Sequence, residues 1–591
     1  MTEITLRIGE EVFQIKKELL CEYSDYFRAM FSGYYVESDK QEINIDMLDP
    51  YAMKIILKYM EMGNILLSEY PLTIIDQIAV TADFLQIRDL TKQIQHVLDI
   101  QLSESNWLDT MTIAQKASYT ELEQLSAAYG LYNFNSMETR SISTIHILIW
   151  YLSHPYLDSQ DELQIFKFGL LWLYRNLQVK DNVLLILACL DMKRVTNKTL
   201  LDIRDFSNNY SCGSLFLEII SCLLNITSKG LDISESSLCE HKEEICEKFT
   251  ERVWCEALSI VKDSRPRLLK YVPVVPTQKN ILDEKNMLHV LQNFVCTLNE
   301  DRQFEKLLEV ADKEFMDWKV AAWGPTKLVV LCGFRLRFGS GIEFMQDVMV
   351  YDTLRNQLEK ISAQLPQKRF PGVTIVGDLL YILGGLCENG FITNTTIVYN
   401  LRERKYISKA KLPEIHECPV VCTHHNRVYI AGGRHVYCYI AGTDVWKPIL
   451  DVHNYNKLEF MKSYNGYIYC MAYGDQTLYR FKPGIEKALQ SVTSLTNMST
   501  AICVISNNSL MVFTKTDDGK YTVEEHNDRF PDEQLIVHPV ELKNEKIYDP
   551  AGSCSLVMSL PPLCKELSQY HRHALSRDSL DVVSPPGFDS D

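Results

Sequence analysis

The sequence lacks any apolar run of the 18 or more residues that a membrane-spanning helix requires. Residues 183–190 are apolar but too few, and residues 215–224 are interrupted by Glu218. The chain start also lacks the basic residues and apolar run of a secretory signal, since Thr2 and Glu3 open a strand-like pattern. We therefore expect no membrane contact and a cytoplasmic location, with the nucleus as a second possible compartment.

Positive charge is also scarce. The chain has a net charge of −17 and a pI near 5.4, whereas a nucleic-acid-binding surface needs a basic face to meet the phosphates. Anionic lipid is disfavoured for the same reason. The 17 cysteines are scattered through 591 residues, unlike the dense cysteines of a small secreted disulfide scaffold. We expect most of them to be free thiols and nucleic acid not to be a partner.

Motifs for catalysis are missing as well. The sequence contains no Walker-type phosphate loop, no G-x-S-x-G elbow and no nucleophile–base pair at a recognisable spacing. We therefore expect no intrinsic enzyme activity, no catalytic residue and no cofactor.

Two groups of potential metal ligands leave zinc open as an alternative to ordinary thiols and strand histidines, because zinc needs four converging N or S ligands. Neither group has the paired C-x-x-C spacing of a zinc site, and strand alternation would send members of the second group to opposite faces. We expect no metal at either group. The two groups are Cys239, His241, Cys246 and Cys255, and His416, Cys418, Cys422, His424 and His425.

What the sequence does contain is enough apolar residues, 46%, for several cores. The first hundred residues mix strand and helix periods: Ile4, Leu6 and Ile8 alternate with polar residues as in a half-buried strand. Asp49 followed by Pro50 is a typical helix start. These patterns predict a small α+β domain over residues 1–101.

Residues 102–264 have the three- and four-residue apolar spacing of helices almost throughout, with little Pro or Gly, as in a helical bundle or solenoid. Pro266, Pro273 and Pro276 follow. Because proline fixes φ and removes a hydrogen-bond donor, we expect an extended linker over residues 265–285.

From residue 286 to 562, short strands alternate with Gly, Pro and Asn turns, which is typical of an all-β repeat fold. Residues 381–385 (YILGG) recur as residues 429–433 (YIAGG), a step of 48 residues. Weaker copies lie at residues 329–333, 469–474 and 510–513. A period near 50 with a glycine doublet indicates kelch repeats, and we count five, with a sixth completed by residues 540–560 and 291–298. We expect residues 563–591 to be a disordered tail.

Several segments together resemble one known protein family. Residues 13–20 and 24–31 resemble the core of the BTB (POZ) domain, and residues 82–86 resemble its later helix. Residues 153–157 (SHPYL), followed by Phe166 and Trp172, are similar to the BACK domain. With the repeats behind them, the order resembles BTB–BACK–kelch proteins. The resemblance implies an α+β BTB domain, an all-α BACK domain and an all-β, degenerate kelch propeller of six blades.

In that family the BTB domain binds cullin-3, and a hydrophobic-x-Glu motif after a Tyr-Phe helix is a recurring contact. Here that position reads Tyr35, Val36 and Glu37. An aromatic anchor can fill a pocket on a partner, and a carboxylate can accept charge-assisted hydrogen bonds. The alternative is that Tyr35 is a loop aromatic and Glu37 a solvated charge.

The resemblance also bears on self-association and on substrate binding. Family members have a helix and an exchanged strand before the position of Glu3, which we expect to be missing here, so a homodimer is in question. The loops of a propeller are the natural substrate surface. Arginines in these loops could form a basic pocket for an acidic or phosphorylated segment, or could be ordinary exposed charges. The candidates are Arg335, Arg337, Arg369 and Arg434.

The resemblance therefore implies a substrate adaptor of a cullin-3 ubiquitin ligase, with cullin-3 at the BTB domain and an unidentified protein substrate at the propeller. The ligase's other subunits would supply the chemistry by proximity. The alternative is a non-enzymatic organiser of a filament such as actin.

Overall fold

The protein is described from a computed structural model that covers residues 3–562, apart from residues 160, 283–288, 311–314, 338–340, 415, 456, 506–508, 528–535 and 543–544. The chain divides into two compact units. Of the described residues, the N-terminal unit comprises 3–268 together with 560–562, and the β-rich unit comprises those within 269–559. The expected tail, residues 563–591, lies outside the described residues.

The N-terminal unit opens with a three-stranded sheet of order β2-β1-β3, in which β1 is antiparallel to β2 and parallel to β3. Ile4, Leu6 and Ile8 of β1 are buried, as the two-residue alternation predicts. The strands are β1 (Glu3–Ile8), β2 (Glu11–Lys16) and β3 (Glu42–Asn44).

Five helices cover this sheet. The third has the expected ends: the Asp49 side chain accepts a hydrogen bond from the Ala52 amide, Pro50 is the first helical residue, and Gly63 ends the helix with φ of 72°. Its buried face belongs to one core with Leu6, Leu20 and Phe27. The helices are α1 (Lys17–Tyr23), α2 (Asp25–Met30), α3 (Pro50–Met62), α4 (Leu72–Phe84) and α5 (Arg88–Ile100).

The rest of this unit is helical, as expected for residues 102–264. Its core is rich in aromatic side chains, among them the fully buried Trp107, Tyr151, Phe166 and Phe216. The helices are α6 (Trp107–Lys116), α7 (Thr120–Tyr132), α8 (Ile145–Ser153), α9 (Glu162–Arg175), α10 (Val179–Ala188), α11 (Asn197–Ser207), α12 (Ser214–Thr227), α13 (Glu235–Glu240), α14 (Lys242–Lys248) and α15 (Glu251–Asp263).

The first three strands of the β-rich unit lie in one sheet, which the last two strands of the unit complete. A second sheet follows, with a β-hairpin between two of its strands. The first set is β4 (Val272–Leu282), β5 (His289–Leu298) and β6 (Phe304–Glu309). The second sheet has β7 (Lys319–Trp323), β8 (Lys327–Leu331), β11 (Val348–Asp352) and β12 (Gln357–Ile361), and its hairpin is β9 (Phe334–Arg337) with β10 (Gly341–Phe344).

Two further sheets follow with the same up-and-down order, and a short strand pair lies beside the first of them. The pair is β13 (Lys368–Arg369) with β16 (Leu386–Cys387). The sheets are β14 (Gly372–Val376), β15 (Leu379–Leu383), β17 (Thr396–Asn400) and β18 (Lys405–Ser408), and β19 (Val420–His424), β20 (Arg427–Ala431), β21 (His435–Ile440) and β22 (Val445–Asp451).

The remaining strands form two more sheets and complete the first one. They are β23 (Leu458–Tyr464), β24 (Tyr467–Ala472), β25 (Thr477–Phe481) and β26 (Gln490–Ser494); β27 (Met498–Ile505), β28 (Ser509–Lys515), β29 (Tyr521–Asn527) and β30 (Ile536–Val540); and β31 (Glu545–Ile547) and β32 (Cys554–Leu556), which both pair with β4.

The described part of the unit thus contains six sheets of four or five strands, as six degenerate kelch repeats predict. The first strands of successive sheets pack together in the order β7, β14, β19, β23, β27, and β32 packs against both β27 and β7. This cyclic order is the one expected of a six-bladed kelch propeller. The sixth sheet combines residues 289–298 with β31 and β32, which agrees with the segments that the sequence analysis paired for it.

The expected linker over residues 265–285 is wrong, because it contains β4. Pro273 pairs with Ser555 and Pro276 pairs with Val295, both inside the sheet, and the Pro276 carbonyl accepts a hydrogen bond from the Tyr548 amide. A proline φ suits extended backbone whether the chain is a linker or a strand. The prolines alone therefore could not distinguish a linker from a strand.

Candidate partner-binding sites

The residues that follow α2 form an exposed apolar loop on the N-terminal unit. The helix itself is firmly placed, because the Ser24 hydroxyl accepts from the Phe27 amide at 3.2 Å and donates to the Leu85 carbonyl at 2.6 Å, and Phe27 is fully buried. Beyond it, Tyr34, Tyr35 and Val36 are 91%, 57% and 79% exposed. Three consecutive large apolar side chains in water are unusual unless they serve a contact.

Ser38 holds this loop in place. Its buried hydroxyl donates to the Met30 carbonyl at 2.8 Å and accepts from the Gly33 amide at 3.1 Å. The Lys17 ammonium donates to the Ser38 carbonyl at 3.0 Å and lies 4.4 Å from the centre of the Phe31 ring. The loop is therefore closed on itself, and its apolar side chains are displayed by a fixed backbone.

Of the three residues expected to contact cullin-3, the structure presents two to solvent, Tyr35 and Val36. Glu37 lies in a short 3-10 turn, Val36–Asp39, and its side chain lies outside the described residues. The expectation that these residues bind cullin-3 stays a prediction.

A cleft of about 510 Å³ opens beside Tyr35. Its lining combines apolar, acidic and amide groups, so it could receive an amphipathic segment of a partner. Tyr26 in its wall packs on Phe84, with ring centres 5.0 Å apart. The lining residues are Asp25, Tyr26, Ala29, Met30, Tyr35, Lys40, Glu42, Ile43, Asn44 and Gln86.

The four arginines considered either as a basic pocket or as ordinary exposed charges differ in what they contact. The Arg335 guanidinium donates two hydrogen bonds to the Glu343 carboxylate, at 2.7 and 3.0 Å, and lies 5.2 Å from the Phe315 ring centre. The Arg369 guanidinium lies 5.8 Å from the Phe334 ring centre. Arg434 is exposed. The Arg337 side chain lies outside the described residues.

Arg335 therefore does not support a basic pocket, because Glu343, its partner across the β9–β10 hairpin, matches its charge. The sequence could not reveal the pairing, because Glu343 follows Arg335 at a distance set by a hairpin. A substrate contact by any of the four arginines stays a prediction.

Neither group of possible metal ligands is assembled into a site among the described residues. The first includes exposed thiols, and several members of the second are buried in the β-rich unit. Cys239 and Cys255 are exposed thiols. His416 is buried under Gly432, and burial lowers its pKa; Cys422 is a core thiol whose pKa burial raises to about 12. Among the described residues, no three His, Cys, Asp or Glu side chains are placed to hold a metal ion. No helix in the described part of the chain is long and apolar enough to cross a membrane.

Sequence reasoning missed two residues that shape these surfaces. Ser38 gave no signal, because a serine in a polar loop is ordinary. Lys368 is only 4% exposed, and its ammonium donates to the Gly384 carbonyl at 2.7 Å and to the hydroxyls of Thr393, at 3.2 Å, and Thr395. A lysine is expected at the surface, so its sequence position alone gives no sign of burial.

Comparisons with known proteins agree with this architecture. Residues 1–102 match the BTB/POZ domain family. The chain is 26% identical over 186 residues to human "Kelch repeat and BTB domain-containing protein 2", covering 31% of this chain and 29% of that protein. It is 22% identical over 391 residues to mouse "Kelch-like protein 25", covering 65% of this chain and 59% of that one. Human "Kelch-like protein 28" is 26% identical over 137 residues, 23% of this chain and 24% of that protein.

The chain thus matches less than two thirds of the length of these curated relatives. The matched BTB domain, the helices that follow it and the repeated four-stranded sheets occur in the order found by the sequence analysis. The matched BTB domain and these relatives support a BTB–kelch protein.

Proposed function

We propose that this protein is a substrate adaptor of a cullin-3 ubiquitin ligase. In this proposal the N-terminal unit binds cullin-3 and the β-rich unit binds the protein to be modified. The chain performs no chemistry itself and raises the local concentration of a substrate lysine near the ligase's catalytic subunits. A cytoplasmic or nuclear location belongs to the same proposal.

The observation that supports the cullin contact most directly is the exposed Tyr34–Tyr35–Val36 run on a backbone fixed by Ser38. A loop whose backbone is already held in place loses less conformational entropy on binding than a loose loop does. Aromatic anchors of this kind dominate the energetics of many interfaces. The cleft beside Tyr35 offers a second place for an apolar side chain of the partner.

The test is calorimetric titration of the full chain with the N-terminal domain of cullin-3, with light scattering on the same sample. The wild type should bind saturably, and Tyr35→Ala should weaken binding by roughly 10- to 100-fold, as expected for an aromatic hot spot. Glu37→Lys should also weaken cullin-3 binding, because a carboxylate that can accept charge-assisted hydrogen bonds is replaced by a cation that can only donate them. The scattered mass gives the number of chains in each complex.

Tyr51→Ala is the matched control, because Tyr51 is 53% exposed and lies on α3, which does not line the cleft. It should bind like the wild type. Absence of saturable binding by a folded wild-type chain would rule out the cullin-3 proposal. Equal affinities for wild type and Tyr35→Ala would remove this loop from the interface.

A further inference from the structure

A second exposed apolar surface lies in the helical region of the N-terminal unit, where α9 and α11 pack side by side. Leu171 and Tyr174 of α9 are 37% and 56% exposed, and they follow Lys167 at steps of four and three residues, so the three share one face of the helix. The Tyr174 ring packs edge to face against Tyr210, just after α11, with ring centres 5.1 Å apart. Tyr210 packs on Phe206 of α11 at 5.3 Å, and the Lys167 ammonium lies 5.2 Å from the centre of the Phe206 ring. These contacts join the two helices in one continuous surface, which we call the α9–α11 face.

Leu177 adds an exposed apolar side chain beside this face, just beyond the end of α9. It is 92% exposed and has a left-handed backbone conformation, with φ of 57°, which disfavours a leucine side chain. Its amide donates to the Tyr174 carbonyl at 3.2 Å, and the next amide, that of Gln178, donates to the Leu173 carbonyl at 2.9 Å. Leu177 is therefore displayed by a helix end that hydrogen bonds hold in place.

The size of the α9–α11 face suits the apolar core of a stable protein contact. None of its five large side chains is fully covered, and they are Leu171, Tyr174, Leu177, Phe206 and Tyr210. Because a fully covered aromatic side chain buries about 150–250 Å², the face offers roughly 350–500 Å² of apolar surface, comparable to the largest patch on a typical monomer. Apolar atoms make up about 56–65% of an interface. Two such faces packed together would thus bury roughly 1,100–1,800 Å² in total, the range of stable complexes.

The charges around the α9–α11 face are balanced, although the whole chain has a net charge of −17. Apart from the buried Glu162, the charged side chains of α9, α11 and α12 are four cations and three carboxylates. They are Lys167, Arg175, Lys198 and Arg204, and Asp202, Asp205 and Glu218. A strongly acidic or strongly basic partner finds no excess of opposite charge here. A second copy of the chain meets both signs, so like-charge repulsion between the copies is small at this face.

We propose that the α9–α11 face is a self-association surface, on which a second copy of this chain packs with its own α9–α11 face across a twofold axis. Such a contact uses each favourable pair twice, and the rings of Tyr174 and Tyr210 can pair edge to face with those of the other copy. The face lies outside residues 1–102, so this dimer is distinct from the strand-exchanged BTB dimer of the family. The inference goes beyond the proposed function, because self-association needs no cullin-3.

The experiment is sedimentation velocity of the full chain over a wide range of concentrations, without cullin-3. The wild type should show a reversible equilibrium between monomer and dimer. Tyr174→Ala should weaken dimerisation at least 10-fold, because an aromatic anchor is lost from both halves of the interface. Leu177→Asp should leave a monomer, since it places a carboxylate in each half of an apolar contact. Both residues are exposed, and circular dichroism verifies that the two variants are folded.

Leu66→Asp is the matched control for Leu177→Asp, because Leu66 is 63% exposed in the same unit but lies outside α9 and α11. It should dimerise like the wild type. A wild type that stays monomeric at the highest concentration, a dimer unchanged by both Tyr174→Ala and Leu177→Asp, or an equal loss in Leu66→Asp would each overturn the inference. Cullin-3 titration of Leu177→Asp tests the proposed function independently, because the loop after α2 is unchanged in this variant.

Discussion

At the scale of single residues, buried polar side chains fix the exposed surfaces and the helical region. Ser38 holds the loop that follows α2, and Lys368 holds the loop that joins β15 to β17. In the helical region, the buried Glu162 carboxylate receives the Arg267 guanidinium, at 3.3 and 3.4 Å, and the Asp191 amide at 3.0 Å. Arg267 also donates to the His154 carbonyl at 2.9 Å. A buried ion pair of this kind is costly to break on one side, so it fixes the chain at the end of the helical region.

His154 should make the N-terminal unit sensitive to acid. It is 1% exposed, its Nδ1 accepts from the Tyr156 amide, and burial, with Arg267 adding to it, lowers its pKa to about 3. The unfolded chain therefore binds a proton between about pH 6.5 and pH 3 that the folded chain does not. Stability should fall with decreasing pH in that window, by at most about 1.4 kcal/mol per pH unit for one proton.

The measurement is urea unfolding of the full chain, followed by helical circular dichroism, from pH 7 to pH 4. The His154→Gln chain should show a shallower loss of stability than the wild type, because glutamine does not titrate. If stability falls equally with pH in the two proteins, the folded and unfolded chains bind the His154 proton alike, which would contradict the prediction.

At the scale of elements, the turns that follow the repeated strands differ in backbone conformation. After β15, Gly384 and Gly385 have φ of 62° and 80°, and the repeated glycine doublet identified these turns correctly. The corresponding position after β8 is Cys332, which adopts φ of 68° despite its side chain. The turn after β8 thus keeps a positive φ although its first glycine is lost, whereas Gly432 and Gly433 after β20 do not adopt a positive φ.

Gly130 illustrates a requirement that no sequence pattern revealed. It lies inside α7, and a Cβ there would come within 2.4 Å of the Trp107 ring. Alanine is a better helix former than glycine by about 1 kcal/mol. Gly130→Ala should nevertheless destabilise the N-terminal unit, because overpacking a filled core typically costs about 1–3 kcal/mol.

Thermal and urea unfolding of Gly130→Ala should show this loss. The smaller ring of Trp107→Phe should relieve part of it, so the double variant should be more stable than the sum of the two single effects predicts. Strict additivity, or a stabilised Gly130→Ala chain, would mean that the helices separate freely at this contact.

At the scale of the whole molecule, the β-rich unit joins the two ends of its own segment in one sheet. Cys554, Ser555 and Leu556 of β32 pair with Val274, Pro273 and Val272 of β4. Leu556 and Val557 are fully buried, and β32 packs against the first strands of both neighbouring sheets. The last strand of the unit is therefore needed to complete the cyclic order of sheets.

A chain truncated after Gly552 should lose the cooperative unfolding of the β-rich unit, because β32 and its buried side chains are removed. A chain truncated after Pro562, which keeps β32, should retain it. Leu556→Ala is a milder version and should cost about 2–5 kcal/mol. Differential scanning calorimetry measures all three. An unchanged transition in the chain that ends at Gly552 would show that the β-rich unit is stable without β32.

Most of the architecture was present in the sequence. Local periodicity identified β1, the capped start of α3, the long helical region and the repeated strands, because these features depend on neighbours within a few residues. The order of the three regions followed from the changes in periodicity along the chain, and the segments of the sixth sheet followed from the pattern of repeats. Strand β4 was missed because proline-containing extended chain has the same local signature in a linker and in a sheet.

The chemistry of the surfaces was decided by tertiary structure. Four arginines in the loops left a basic pocket and ordinary exposed charges as alternatives, and the structure adds that the β9–β10 hairpin brings Glu343 onto Arg335 and that Arg369 lies against the Phe334 ring. Lys368 is buried because three acceptors from one loop converge on it. Charge pairing and burial depend on contacts between segments far apart in the chain. The sequence by itself thus determined the elements and their order, whereas only the tertiary structure decided which side chains remain exposed for a partner.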